Sequence, residues 1–120
     1  MQRGIRGATT VSDNSKESIK DSLVELINEI QIRNNLKVED ISHVIFTMTG
    51  DLDYIYPAKI VREEFLDWKY VPMMCLQELR IGGSLKMCVR VLVVVNTDVE
   101  QSEIRHVYLR GAKVLREDLK

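Results

Sequence analysis

The segment CVRVLVVV, residues 88–95, limits what this chain can fold into more than any other stretch. β-branched residues dominate it, and side chains alternate across a strand. Val89, Val91, Val93 and Val95 therefore share one face, and Cys88, Arg90, Leu92 and Val94 share the other. A strand apolar on both faces belongs inside a sheet that is covered on both sides. Arg90 is the exception. Burying a guanidinium without a partner is very costly, so the strand demands a negative charge, supplied by the protein or by a ligand.

The other elements can be read around this strand. Residues 3–11, RGIRGATTV, have strand character and end in the polar turn SDNS. Asn14 is the expected N-cap of a helix, with Glu17 completing a capping-box pattern. Ile19, Leu23, Leu26, Ile27 and Ile30 then recur at helical spacing until Asn34-Asn35. Residues 42–48 return to strand character, and Pro57 suits the first turn of a second helix over 57–67. Strands are expected at 72–78, 86–96 and 105–110, with a break at Gly82-Gly83.

The order β-α-β-α-β-β-β predicts an α+β fold, a mixed sheet with helices on one face, in one domain spanning residues 1–120. Two helices cover about one face of such a sheet. The other face is expected to pack against further copies of the chain in a cyclic homo-oligomer, with ligand clefts between subunits.

Charge narrows the function. With 17 basic and 18 acidic residues the net charge is −1, which argues against a general nucleic-acid or membrane-surface binder and makes any anion site local. Cys75 and Cys88 form neither a zinc spacing nor a CxxC motif and read as reduced thiols of a cytoplasmic protein. The first residues lack the apolar core of a signal peptide, and no run approaches the roughly 20 residues of a membrane span. No GxSxG, Walker or GxGxxG segment is present, IGGSL reads as a turn, and His43 and His106 show no partner pattern.

The residues that remain are Arg6, between Gly4 and Gly7, with Glu78, Arg90, Tyr108 and the stretch 56–62. From chemistry alone, Arg90 and Glu78 read equally well as a structural ion pair or as parts of an anion site. Tyr108 by itself reads as core packing, and Lys59 and Arg62, three apart on a helix face, as solvated charges. Taken together, the set points to an arginine-rich anion cleft.

Five segments in register, RGIRGATTV, YPAKIVREEF, YVPMMCLQEL, GGSLKMCVRVLVVVNTD and IRHVYLRGAKVLRED, resemble the monofunctional, trimeric α/β class of chorismate mutase. The resemblance implies a homotrimer with a pseudo-α/β barrel core and active sites at the subunit interfaces. It implies the unimolecular [3,3] rearrangement of chorismate to prephenate, with no metal and no cofactor. Arg90 would face the ether oxygen of chorismate, Arg6 and Tyr108 its carboxylates, and Glu78 its ring hydroxyl, with Cys75 lining the ring-hydroxyl side. Tyr56, Ala58, Lys59, Arg62, Met73 and Met74 would come from the neighbouring subunit, and Leu115 and Arg116 would close over the ligand.

The sequence departs from the family pattern at Tyr56, where Phe is commoner, and at Met74, where a smaller Thr is common. The rival readings are a non-catalytic trimeric binder of a small carboxylate and an imine deaminase of similar fold, whose signature segments are not evident.

Overall fold

In the computed structural model, which describes residues 1–115, one five-stranded sheet carries two helices on one of its faces. The strands are β1 (Gln2–Thr10), β2 (Ile41–Met48), β3 (Met73–Gln77), β4 (Cys88–Asn96) and β5 (Val107–Tyr108); the helices are α1 (Lys16–Arg33) and α2 (Pro57–Glu64). Across the sheet the order is β3-β2-β4-β1-β5. β4 lies at the centre, antiparallel to β1 and β2, while β3 runs parallel to β2 and β5 parallel to β1. The α+β class and the one-sided helical layer are as expected.

The valine face of β4 makes the core. Val89, Val91, Val93 and Val95 are buried with Ile5, Val44 and Phe46 of the neighbouring strands, against Ile19, Leu23, Leu26, Ile27 and Ile30 of α1 and Ile60 and Val61 of α2. Trp68, from a 3₁₀ turn at Leu66–Trp68, fills the edge of this core and donates its ring N–H to Gln31 Oε1 at 3.1 Å. α1 lies close on β1 because position 7 is glycine. A Cβ there would stand 2.8 Å from Ile30 Cδ1, 3.0 Å from Val91 Cγ1 and 3.2 Å from Leu26 Cδ1. Gly7→Ala should therefore overpack the helix–sheet seam and cost about 1–3 kcal/mol. A urea midpoint unchanged from wild type would contradict that reading.

Several element ends differ from expectation. α1 is capped by Ser15, whose hydroxyl accepts from the Ser18 N–H, because Asn14 is engaged elsewhere: its amide donates to Asp53 Oδ1 at 2.7 Å and its oxygen accepts from the Asp53 N–H. The box with Glu17 therefore does not form. α2 stops at Glu64 rather than 67, where Phe65 turns extended and the chain tightens to bring Trp68 inward. β4 begins at Cys88, after Met87 at φ 50°, whose N–H is held by the Asp51 carboxylate. The last strand shrinks from 105–110 to Val107–Tyr108, because the chain leaves the ladder for a 3₁₀ turn at Arg110–Val114.

Candidate active site

The face of the sheet opposite the helices is open. Met74 and Leu76 of β3 are 59% and 51% exposed, and Ile45, Leu92 and Val94 are half-buried. One end of the face is covered by the turn at 110–114, where Ala112 packs with Ala8 and Cys88, joined by Leu85, Tyr108 and Leu115.

Register sets the site on this open face. Arg90 stands opposite Thr47 on one side and Ala8 on the other, and Ala8 in turn pairs with Tyr108. The next row carries Met74, Ile45, Leu92 and Arg6. Glu78, just beyond β3, reaches back over the face to Thr47 and Arg90. Arg6, Thr47, Glu78 and Arg90, with Ile45 and Leu92, line a cleft of 390 Å³.

Within this cleft Glu78 is pinned from both sides. Thr47 donates its hydroxyl to Oε2 at 2.7 Å, and Oε1 lies 3.3 Å from Arg90 Nε. The ion pair exists, yet it leaves one Arg90 donor unsatisfied among the described residues. The Arg90 Nε–H is buried and makes no hydrogen bond among the described residues, because the carboxylate is close but out of line. A buried donor left without an acceptor costs about 1–3 kcal/mol, and more when charged. The Tyr108 hydroxyl is likewise buried without a partner among the described residues. Two buried donors thus lie unsatisfied among the described residues, on the sheet face that also carries the exposed Arg6.

Other expected residues lie elsewhere in the chain. Met73 and Cys75 pair with Val44 and Phe46, so their side chains point to the helical side and pack against the main core. Any contact of Cys75 with a ligand on the open face must come from its main chain. Tyr56, 70% exposed, shares a separate 310 Å³ cleft with Cys75. Ala58 is buried at the start of α2, while Lys59 and Arg62 are exposed on it. All belong to the α2 and β3 region, remote from Arg6 and Tyr108 along the sheet. Met74 alone of the expected neighbour-subunit set sits on the open face. Tyr108 also borders a larger cleft, 650 Å³, along the β5 edge with Arg33, Arg105, His106 and Lys113. That volume does not make it the site, since the pinned carboxylate and the Arg90 guanidinium with its unsatisfied Nε–H lie in the smaller one. Leu115, like Tyr108, packs against the Ala8, Cys88 and Ala112 cluster, and Arg116 lies outside the described residues.

Two participants escaped the sequence reading. Thr47 holds Glu78; the available signal was a hydroxyl residue on the same strand face as Ile45. His106 accepts the Arg6 N–H at Nδ1 at 2.9 Å and so fixes β1 next to the site, a contact across 100 residues that no local pattern shows. Burial pushes the Cys88 thiol up, with the nearby Arg90 acting in the opposite direction.

Known proteins resemble this chain over nearly its whole length. The family model described as chorismate mutase type I matches residues 2–119. The chain is 47% identical over 119 residues to a protein named chorismate mutase AroH from Bacillus subtilis, covering 99% of this chain and 93% of that one. It is 41% identical over 120 residues to the Thermus thermophilus protein of the same name, covering 99% and 97%. A solved structure titled as a chorismate mutase from Clostridium thermocellum superposes with a TM-score of 0.88 at 46% identity, over 93% of this chain and 98% of that one. From its first strand to the turn beyond its last, this chain belongs to the type I chorismate mutase family.

Proposed function

We propose that the chain converts chorismate to prephenate, acting as a single domain in a cytoplasmic homotrimer whose sites lie between subunits. The observation that carries this reading is the Arg90 guanidinium, held on an uncovered sheet face with a buried Nε–H lacking an acceptor. No helix among the described residues is long and apolar enough to cross a membrane.

The rearrangement is unimolecular. The carbon–oxygen bond breaks ahead of carbon–carbon bond formation, so negative charge grows on the ether oxygen. Arg90, fixed by the central strand and by Glu78, offers its unpaired donor to that oxygen. The contact strengthens as the charge develops, and so it lowers the barrier rather than only binding substrate. Arg6 and Tyr108 take carboxylates, and Glu78 accepts the ring hydroxyl. These fixed partners hold the enolpyruvyl arm over the ring in the compact conformer that can react. An acceleration of about 10⁶-fold needs about 8 kcal/mol, within reach of orientation plus one strong electrostatic contact.

A shared site fits the layout of the chain. α2 lies on the helical side of its own sheet, so its Lys59 and Arg62 cannot turn to the Arg90 face of the same subunit. They serve a neighbour, together with Tyr56 and Ala58 from the start of α2 and Met73 and Met74 of β3. Leu115 and Arg116 close the cleft from the Tyr108 side. The exposed apolar positions Met74 and Leu76 are expected to be covered in the trimer.

Subunit mixing tests the arrangement. Arg90→Ala and Arg62→Ala trimers, each impaired, should regain activity when dissociated and reassembled together in equal amounts, because about a quarter of all sites then carry both arginines. If every site lay within one chain, no activity would return.

A further inference from the structure

The turn that follows Tyr108 is built around an unusual choice of residue. Arg110 has a φ of 50°, in the left-handed region that disfavours a side chain, while the adjacent Gly111 does not adopt it. Gly111 is small for a different reason. A Cβ there would lie 2.9 Å from Thr10 Oγ1 and 3.0 Å from Thr10 Cγ2, and its N–H donates to that hydroxyl at 2.9 Å.

The strained position thus carries a long cation, and the cation bridges the turn to α1. Arg110 Nη1 donates to Ser22 Oγ at 2.8 Å, and Nε donates to Glu25 Oε1 at 3.2 Å, both on α1. Ser22 is completely buried, so this bond occupies a polar group in the helical layer. On the other side of the turn, the Leu109 N–H donates to Ala8 O at 2.9 Å, and buried Ala112 seats the chain against Ala8 and Cys88 on the open face. Tyr108 enters this turn with its hydroxyl buried and unpartnered among the described residues, and both Tyr108 and Leu115 pack against the Ala8, Cys88 and Ala112 cluster.

We infer that Arg110 is a positioning residue. By clamping the 110–114 turn to α1 it holds Tyr108 in its place beside Ala8 and sets the direction in which the chain leaves at Leu115. Its kinetic consequence rests on the proposed activity; its structural consequence does not.

Arg110→Gly separates the clamp from the backbone, because glycine relieves the left-handed conformation while deleting the guanidinium. The variant should keep a Tm within about 4 °C of wild type. Its KM for chorismate should rise about 3–10-fold with kcat little changed, the pattern of a lost or weakened substrate contact. Arg110→Lys, able to reach one of the two partners, should recover part of the KM. Adding Ser22→Ala to Arg110→Gly should cost little more, since both act through one bond. Independently of substrate, the Leu109 amide should exchange hydrogen at least about tenfold faster in Arg110→Gly.

A merely structural arginine would lower Tm and leave KM where it was; that result, or an unchanged Leu109 exchange rate, overturns the inference. Should the wild-type protein fail to convert chorismate, the proposed activity falls on its own, and Leu109 exchange alone decides whether the clamp exists.

Discussion

Arg90→Ala should lower kcat by at least about 10²–10³-fold, the usual scale for removing a donor aimed at charge that develops in the transition state. That loss corresponds to about 2.7–4 kcal/mol of barrier. The geometry behind the expectation is specific. Arg90 is held on the central strand between Thr47 and Ala8, and its Nε lies 3.3 Å from Glu78 Oε1 without forming an aligned hydrogen bond. An arginine serving solely as the partner of Glu78 would align with it. Arg90→Lys sharpens the test: a lysine keeps the charge but presents a mobile ammonium in place of a planar fork. A large loss in that variant as well would show that placement, beyond charge, sets the rate. Turnover near wild type in Arg90→Ala would return Arg90 and Glu78 to a structural ion pair.

The largest expected effect on stability is at Trp68. Trp68→Ala should lower the free energy of unfolding by about 3–5 kcal/mol. The indole is completely buried at the junction of α1, α2 and the sheet, packs at a 6.2 Å centroid distance from Phe65, and donates to Gln31. Truncation leaves a cavity and strips Gln31 of its donor, two penalties that add. Against the roughly 5–15 kcal/mol that holds a typical domain, this is a severe loss. Urea unfolding at fixed protein concentration measures it. Trp68→Phe, which keeps most of the volume, should cost clearly less, and equal losses in the two variants would contradict the packing account.

How much of this was legible in the sequence depends on the range of the forces involved. The valine face of β4 and the apolar stripe of α1 are periodic, and periodicity survives folding because burial rewards it residue by residue. Element order and the uncovered face followed from the same pattern. Caps and ends were less legible, because long-range partners decide them. Asn14 has the chemistry of a cap, yet Asp53 takes it, and the cap passes to Ser15. The glycines flanking Arg6 serve internal close packing that no local pattern announces: Leu92 approaches Gly4, and Ile30, Leu26 and Val91 approach Gly7.

In the site, Arg6, Glu78 and Arg90 stood out as charges in apolar surroundings, and register brings all three to one cleft. Thr47 carried no such contrast, and its role appears only when β2 is laid beside β4. Cys75 shows the opposite failure. Its number falls among site residues, but strand alternation turns its thiol to the helical core. Nothing in the spacing of MMCLQ announces which alternate residues face the ligand, because both faces of β3 are apolar.

The central claim is that a fixed arginine on the open sheet face, acting on a bound dianion, is sufficient for the chemistry. The most direct measurement offers chorismate to the purified protein without metal or cofactor and follows the loss of its ultraviolet absorbance while the product is identified. The account predicts prephenate, formed at a rate proportional to enzyme. Absence of turnover, with or without binding of a bicyclic transition-state mimic, would contradict it.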